Sequence, residues 1–155
     1  MKKLIQVAAL SAFTFSATNA LAAVTESFDA KLLVRQAISL INERPLDFGV
    51  VTTSDTTDIT VEKGAGNAAQ FTITGEKNAV VDVTINDAKM LNAADPTKGI
   101  NVVFTDKFDK APTLDNGGKF VLNVGGIAKI ADASVAGDFV TGNYKAAVPV
   151  EVEYQ

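Results

Sequence analysis

Ala68-Ala69-Gln70-Phe71-Thr72-Ile73-Thr74-Gly75 is the stretch on which the fold turns. Ala69, Phe71 and Ile73 alternate with Gln70, Thr72 and Thr74, the period-two signature of a strand with one buried face. The same period recurs on both sides. Downstream, Gly75-Glu76-Lys77-Asn78 forms a hairpin-length connection to Val81, Val83 and Ile85, with Asp82 and Thr84 facing away. Ile100, Val102 and Phe104 open a further strand, and Phe120, Leu122 and Val124 alternate with Val121 and Asn123. Gly125-Gly126 marks a bulge, from which Ile127 to Ile130 continue or switch sheets. Upstream, Ile59 and Val61 precede Gly64-Ala65-Gly66-Asn67, a loop of residues that tolerate positive φ. Leu46-Asp47-Phe48-Gly49-Val50-Val51 reads as a short strand ended by the polar run Thr52 to Thr57.

Three longer connections separate these runs: Lys89 to Gly99, with a short helical turn around Ala88 to Leu91; Phe108 to Gly118; and Ala131 to Gly137. From Glu26 to Leu40 the even positions include Phe28, Ala30, Leu32, Val34, Ile38 and Leu40. That is long for one strand, so it contains a bend or serves two sheets, and Glu43-Arg44-Pro45 ends it. A helix over Ala30 to Ile41 is the competing reading. Seven to nine short strands of this spacing predict an all-β fold, a two-layer immunoglobulin-like β-sandwich, with a closed barrel as the alternative.

The chain opens with Lys2 and Lys3, an apolar stretch from Leu4 to Phe15, and the small-x-small triplet Ala20-Leu21-Ala22, the three parts of a secretory signal peptide. Residues 1–22 are therefore expected to be removed. Ser11, Thr14, Ser16, Thr18 and Asn19 break the run that a membrane anchor would need. Without cysteine there is no lipid attachment at the cleavage site, and no later segment is long and apolar enough to span a bilayer. The expected mature chain, Ala23 to Gln155, has 133 residues, the size of one domain. Lys2 and Lys3 leave with the signal, so the 14 basic residues fall to 12 against 18 acidic ones and the net charge becomes −6. An acidic domain without a basic cluster is a poor partner for nucleic acid, whose binding rests on neutralised phosphates.

The chain has no Cys, no His and no Trp. Missing His and Cys remove Ser-His-Asp and Cys-His nucleophile systems, His-containing zinc sites and thiol redox chemistry. Stability must then come from burial and the β ladder without a disulfide. Asp55, Asp58 and Glu62 lack the dense acidic spacing of a calcium loop. Gly64-Ala65-Gly66 lacks the Lys-Ser/Thr of a phosphate cradle. The carboxylate pairs Asp47 with Glu43 and Asp106 with Asp109 are what any acidic surface supplies, so neither catalytic residues nor a cofactor are expected. Phe28, Phe71, Phe104 and Phe120 fall on alternating positions, where core packing is the expectation; Phe108 and Phe139 are less clear.

The last segment carries most of the functional information. In Gly142-Asn143-Tyr144-Lys145-Ala146-Ala147-Val148-Pro149-Val150-Glu151-Val152-Glu153-Tyr154-Gln155 the even positions Tyr144, Ala146, Val148, Val150, Val152 and Tyr154 form one apolar face that runs to the penultimate residue. Chain ends normally fray, so an apolar face kept to the end needs a cover, either the domain's own sheet or another chain. Pro149 donates no ladder bond and places part of this strand beside a sheet edge.

This strand resembles that of pilin subunits assembled by the chaperone–usher route, with Tyr154 as the penultimate tyrosine and Gly142 as the glycine fourteen residues from the end. A wider pattern, Leu46-Asp47-Phe48-Gly49, Ala68 to Gly75, Leu122-Asn123-Val124-Gly125-Gly126 and the tyrosine-ended strand, is similar to a family of secreted bacterial, pilin-like domains of unknown function. The resemblance implies an incomplete sandwich whose missing strand comes first from a periplasmic chaperone and then from the N-terminal extension of the next subunit, delivered at an outer-membrane usher. Here the extension is Ala23 to Val34, with Phe28, Ala30, Leu32 and Val34 as inserted residues. Gly142, Tyr144, Val148, Val150, Val152 and Tyr154 form the strand that contacts chaperone or neighbour. Two departures stand out: no inserted position is glycine, and the disulfide common in such pilins cannot form. The expectation is a structural subunit of a surface filament or biofilm fibre, exported through the periplasm to the cell surface or medium, with neighbouring copies as partners. The alternative is a self-complete secreted β-sandwich that binds or adheres, with residues 23–34 as its own first strand.

Overall fold

In the computed structural model, residues 25–105 and 111–155 are described. The expected signal-peptide segment, Ala23 and Val24, and Asp106, Phe108 and Asp109 lie outside them. The chain divides after Leu33. On the near side of that division, residues 25–33 form no regular element. Beyond it is an all-β sandwich.

Ten strands and one short helix follow among the described residues: β1 (Ser39–Arg44), β2 (Ile59–Val61), β3 (Ala69–Thr74), β4 (Val81–Ile85), β5 (Ala88–Asn92), β6 (Gly99–Phe104), β7 (Lys119–Val124), β8 (Gly126–Ala128), α1 (Ile130–Val135), β9 (Tyr144–Lys145) and β10 (Val150–Tyr154). They form a three-stranded sheet β1-β3-β7, a pair β10-β4, and a five-stranded sheet β2-β8-β6-β5-β9, with every ladder antiparallel.

The stretch that predicts the fold sits at its centre. β3 is flanked by β1 and β7, with Leu40 opposite Ile73, Phe71 opposite Leu122 and Ile73 opposite Phe120. Residues directly opposite share a face, so these make one apolar layer, while Ile41, Thr72 and Val121 line the other face. Across the core lies the β10-β4 pair, whose register sets Val150 against Ile85, Val152 against Val83 and Tyr154 against Val81. Ile73, Val81, Leu114 and Leu122 are almost wholly buried there, and Val150, Val152 and Tyr154 pack on them half-buried. A second core under the five-stranded sheet joins Ile100, Ala128, Ile130 and Ala133 to Phe48, Ile59, Met90, Phe139 and Tyr144.

Strands change sheets at three points, which raises the count above the seven to nine expected. β4 passes into β5 at Asn86-Asp87, β7 into β8 at Gly125, and β9 into β10 through residues 146–149. Gly125 is required at its crossing, because a Cβ there would overlap the Val61 carbonyl and meet Lys63 N at 2.7 Å.

Several expectations are corrected. Gly75 to Asn78 does not close a hairpin, since β3 and β4 lie in different sheets; the Gly75 amide bonds the Gly118 carbonyl instead, and Asn78 takes φ 59°. Ala88 to Leu91 is strand, not a helical turn, because β6 and β9 pair it from both sides. Residues 46–51 make no strand: Gly49 turns to φ 80°, and the Asp47 carboxylate accepts its amide at 2.8 Å. The long N-terminal strand begins only at Ser39, and residues 30–38 are not helical.

α1 replaces an expected connection. Its start is held from far away in sequence: Asp58 Oδ1 accepts the Ala131 amide at 3.1 Å, while Lys129 Nζ donates to Asp58 Oδ2 at 2.9 Å. The Lys129 bond, then the Ala131 bond, hold the Asp58 carboxyl below its usual range, and the same Asp58 bond raises Lys129. A depressed carboxylate contributes stability above its unfolded pKa, about 3.9, and loses it as pH falls through the folded value. A raised lysine contributes below about 10.4 and loses it as pH climbs through its folded value. Asp58→Asn is therefore expected to lower the thermal midpoint between roughly pH 4 and pH 10, with the difference from wild type shrinking at pH 2. A difference independent of pH would contradict this.

Candidate functional site

β1 and β10 each have a partner on one side only, β3 and β4 respectively. Both contribute to the same core, through Ile38 and Leu40 on one strand and Val150, Val152 and Tyr154 on the other. Both strands, like β4 and β7, therefore carry an open edge bordering a common interior. A groove, apolar along its first part, meets these strands at Asn42 and Val150.

Its first part is a cavity of about 410 Å³ floored by Phe71, Met90, Val102 and Phe104, with Leu46 on one wall and Val150 on the other. Its second part, about 430 Å³, is floored by Ile100 and Ile130 and walled by residues 46–53 and 139–144. Leu46, Phe48, Met90 and Tyr144 line both, so the two adjoin. Together they follow residues 42–53 on one side and 139–150 on the other.

The C-terminal wall has the chemistry of an acceptor edge. Between Lys145 and Val150 the chain pairs with neither β5 nor β4. Pro149 sits in this gap, where its missing N–H breaks no ladder. Tyr144 fixes the wall's far end: its hydroxyl donates to the Asp138 carbonyl at 2.8 Å and accepts the Val140 amide at 2.8 Å. Gly142 has φ 149°, and a Cβ there would collide with the Asn92 side chain. Asn92 is buried and tied down, donating to the Thr141 carbonyl at 3.2 Å and accepting the Ala94 amide at 2.9 Å. The glycine fourteen residues from the end thus has a local physical cause.

Tyr154 closes the other end of β10. Its hydroxyl accepts the Glu76 amide and donates to the Gln36 carbonyl, both at 2.7 Å. Arg35 lies over its ring at 5.3 Å to the centroid, within cation–π range, donates to the Gln155 carbonyl at 3.1 Å and pairs with Glu76 at 3.9 Å. A Cβ on Gly75 would strike the Tyr154 hydroxyl, so this turn is shaped around the tyrosine.

Of the residues singled out from sequence, Tyr144, Val148 and Val150 line the groove, Gly142 lines its second part, and Val152 and Tyr154 continue the same face into the core. The candidate inserted residues Phe28, Ala30, Leu32 and Val34 are exposed, Phe28 at 92% and Leu32 at 89%; Phe28 is not a core residue here, whereas Phe71, Phe104 and Phe120 are. Phe139 packs under the five-stranded sheet. Asp55 caps its own turn by accepting the Thr52 amide, and Gly64 to Gly66 lie in a turn closed by the Ala65 amide on the Glu62 carbonyl. Sequence reasoning missed Met90 and assigned Leu46 and Phe48 to a strand; the alternation Ala88, Met90, Asn92 was the available signal for the first.

Among the described residues no helix is long and apolar enough to cross a membrane. No curated protein and no solved structure matches the chain. A family model does match, over residues 38–154, which takes in every strand and both walls of the groove. The chain belongs to the family described as Domain of unknown function (DUF4402).

Proposed function

We propose that the chain is a structural subunit of a bacterial surface filament, fimbria-like or pilus-like, or of a biofilm fibre, joined to neighbouring copies by β-strand complementation. The observation that carries this reading is the groove between residues 42–53 and 139–150, apolar along its first part, which meets the open-edged strands at Asn42 of β1 and Val150 of β10. The occupant is the extension, residues 23–34. Its alternation of Phe28, Ala30, Leu32 and Val34 suits a floor of apolar side chains reached every second residue. Those side chains stand in water in the isolated chain. An exposed apolar alternation and unpaired strand edges within one chain are a combination that soluble proteins otherwise manage away.

On this reading the chain is exported by its signal peptide. It is held in the periplasm by a chaperone that lends a strand to the same groove, and it passes an outer-membrane usher to the cell surface. The test is the mature protein itself. Purified material is expected to give an SDS-resistant ladder on unheated gels and filaments by electron microscopy. Deletion of residues 23–34 is expected to abolish both. A reversible monomer with no ladder, indifferent to that deletion, would overturn the proposal.

A further inference from the structure

The two parts of the groove differ in chemistry. Apart from Asn42 and Lys145, the first is lined by apolar and aromatic residues, whereas loop residues with polar side chains rim the second. Alternating apolar side chains suit the first part and leave the polar groups of the second unmet, so the second calls for a different occupant.

Its walls are braced through their backbones. On one side the Asn67 carbonyl accepts the Asp47 amide at 2.9 Å, the Asn67 side chain donates to the Asp47 carbonyl at 2.8 Å, and Asp47 Oδ1 accepts the Gly49 amide. On the other, the buried Asn92 side chain donates to the Thr141 carbonyl, and the Ala93 amide donates to the Asn143 carbonyl at 2.8 Å. Side chains are left over. Among the described residues those of Thr53, Thr141 and Asn143 take part in no hydrogen bond, and Asp47 spends only Oδ1.

Phe48, Phe139 and Tyr144 line the same cavity over the floor of Ile100 and Ile130. Its volume, about 430 Å³, falls within the range of small-molecule sites, which combine apolar and aromatic walls with a few fixed polar groups. Charge narrows the ligand further. Asp47 is the one charged side chain among the described residues that line the cavity, so an anion would meet a carboxylate and no cation. Hydroxyls and a carboxamide both donate and accept. Set above apolar and aromatic surface, they match a sugar ring, which carries hydroxyls on its rim and C–H groups on its faces.

We infer that the cavity between residues 46–53 and 139–144 is a binding site for a neutral saccharide, whose hydroxyls are met by Asn143, Thr141, Thr53 and Asp47 Oδ2. The site adjoins the apolar part of the groove and does not depend on strand complementation.

The test is saturation-transfer NMR on the mature chain, followed by titration calorimetry, with the methyl glycosides of glucose, galactose, mannose and N-acetylglucosamine. Glucuronic acid, N-acetylneuraminic acid and choline are the charged comparisons. At least one neutral glycoside is expected to bind saturably, with both acids at least tenfold weaker. Asn143→Ala combined with Thr141→Val is expected to weaken that glycoside at least tenfold. Both side chains are exposed, so the thermal midpoint should stay within about 2 °C of wild type, which separates a lost contact from a lost fold.

No saturable binding by any neutral glycoside would overturn the inference. So would binding that the double variant leaves intact, which would put the sugar elsewhere. Acids bound as tightly as neutral glycosides would refute the charge argument, and binding of choline alone would make the cavity an aromatic cage for a cation. Saccharide binding in a chain that forms no SDS-resistant ladder would overturn strand complementation and support this site.

Discussion

A synthetic peptide spanning residues 23–34, added to a chain that begins at Arg35, is expected to raise its unfolding midpoint by about 10 °C. The estimate starts from burial. Phe28, Leu32 and Val34 each gain about 1.5–3 kcal/mol on leaving water completely, and on the strand-complementation reading the peptide backbone adds ladder bonds to an open edge. Ordering a flexible peptide opposes this by about 1–2 kcal/mol per residue for the backbone, so the net affinity is a modest fraction of the gross gain. At a free concentration one hundred times its dissociation constant, a ligand that binds only the native state stabilises it by about 2.7 kcal/mol. For a body of this size each kcal/mol moves the midpoint by about 4 °C. A peptide carrying Phe28→Asp puts a carboxylate over an apolar floor, and is expected to give no shift at the same concentration. Equal shifts from both peptides, or none from either, would count against the groove as an acceptor.

The second large effect lies in the finished part of the core. Ile73 has no exposed surface and stands between Leu40 on β1 and Phe120 on β7. Ile73→Ala removes most of its side chain where the neighbours are fixed by ladders on both sides, so the cavity cannot collapse. The cost is expected at about 3–4 kcal/mol, within the range for such truncations, read as a lower urea midpoint with unchanged slope. Val121→Ala, on the outer face of the same sheet where Val121 is 44% exposed, should change stability by no more than about 0.5 kcal/mol. A cost at Ile73 no larger than that at Val121 would mean that the inner face had been wrongly identified.

The alternating runs made most of the strands legible, because period two is written into the side chains themselves: β3, β4, β6, β7 and β10 all fall on such runs. What alternation cannot express is partnership. Gly75 to Asn78 has the length and composition of a hairpin turn, yet β3 and β4 face each other across the core. Which pairing wins depends on residues far away, such as Gly118, whose carbonyl takes the Gly75 amide. α1 was illegible for a related reason, since the carboxylate at its start, Asp58, is contributed from before β2. Residues 46–51 mislead in the opposite sense, having the side chains of a strand beside an edge where no strand is present.

The candidate site was half legible. Its C-terminal wall could be read from Gly142 to Tyr154, because an apolar face that runs to the chain end demands a cover. Met90, which lines both cavities, lies on the short alternation Ala88, Met90, Asn92, which the apolar Leu91 and the polar Asn92 obscure. The roles of Arg35 and Gln36 could not be anticipated, since their partners stand 118 to 120 positions away.

In a fibre of the proposed kind, the contacts of Tyr154 with Arg35 and Gln36 would determine how force travels. Tension arriving along the extension enters the body at Arg35 and Gln36 and divides there. One share passes into β1 and across its five paired residues to β3. The other passes through the tyrosine hydroxyl and the arginine into β10 and its five pairs with β4. Those two strands are also the ones that would grip the incoming strand, so the load path crosses each copy from root to groove. A pull along strands meets their ladder bonds together, in shear, instead of opening them one at a time. Forced rupture is a matter of unfolding rate, and a phenol that ties both load-bearing strands to one root makes that rate the property of the whole sandwich.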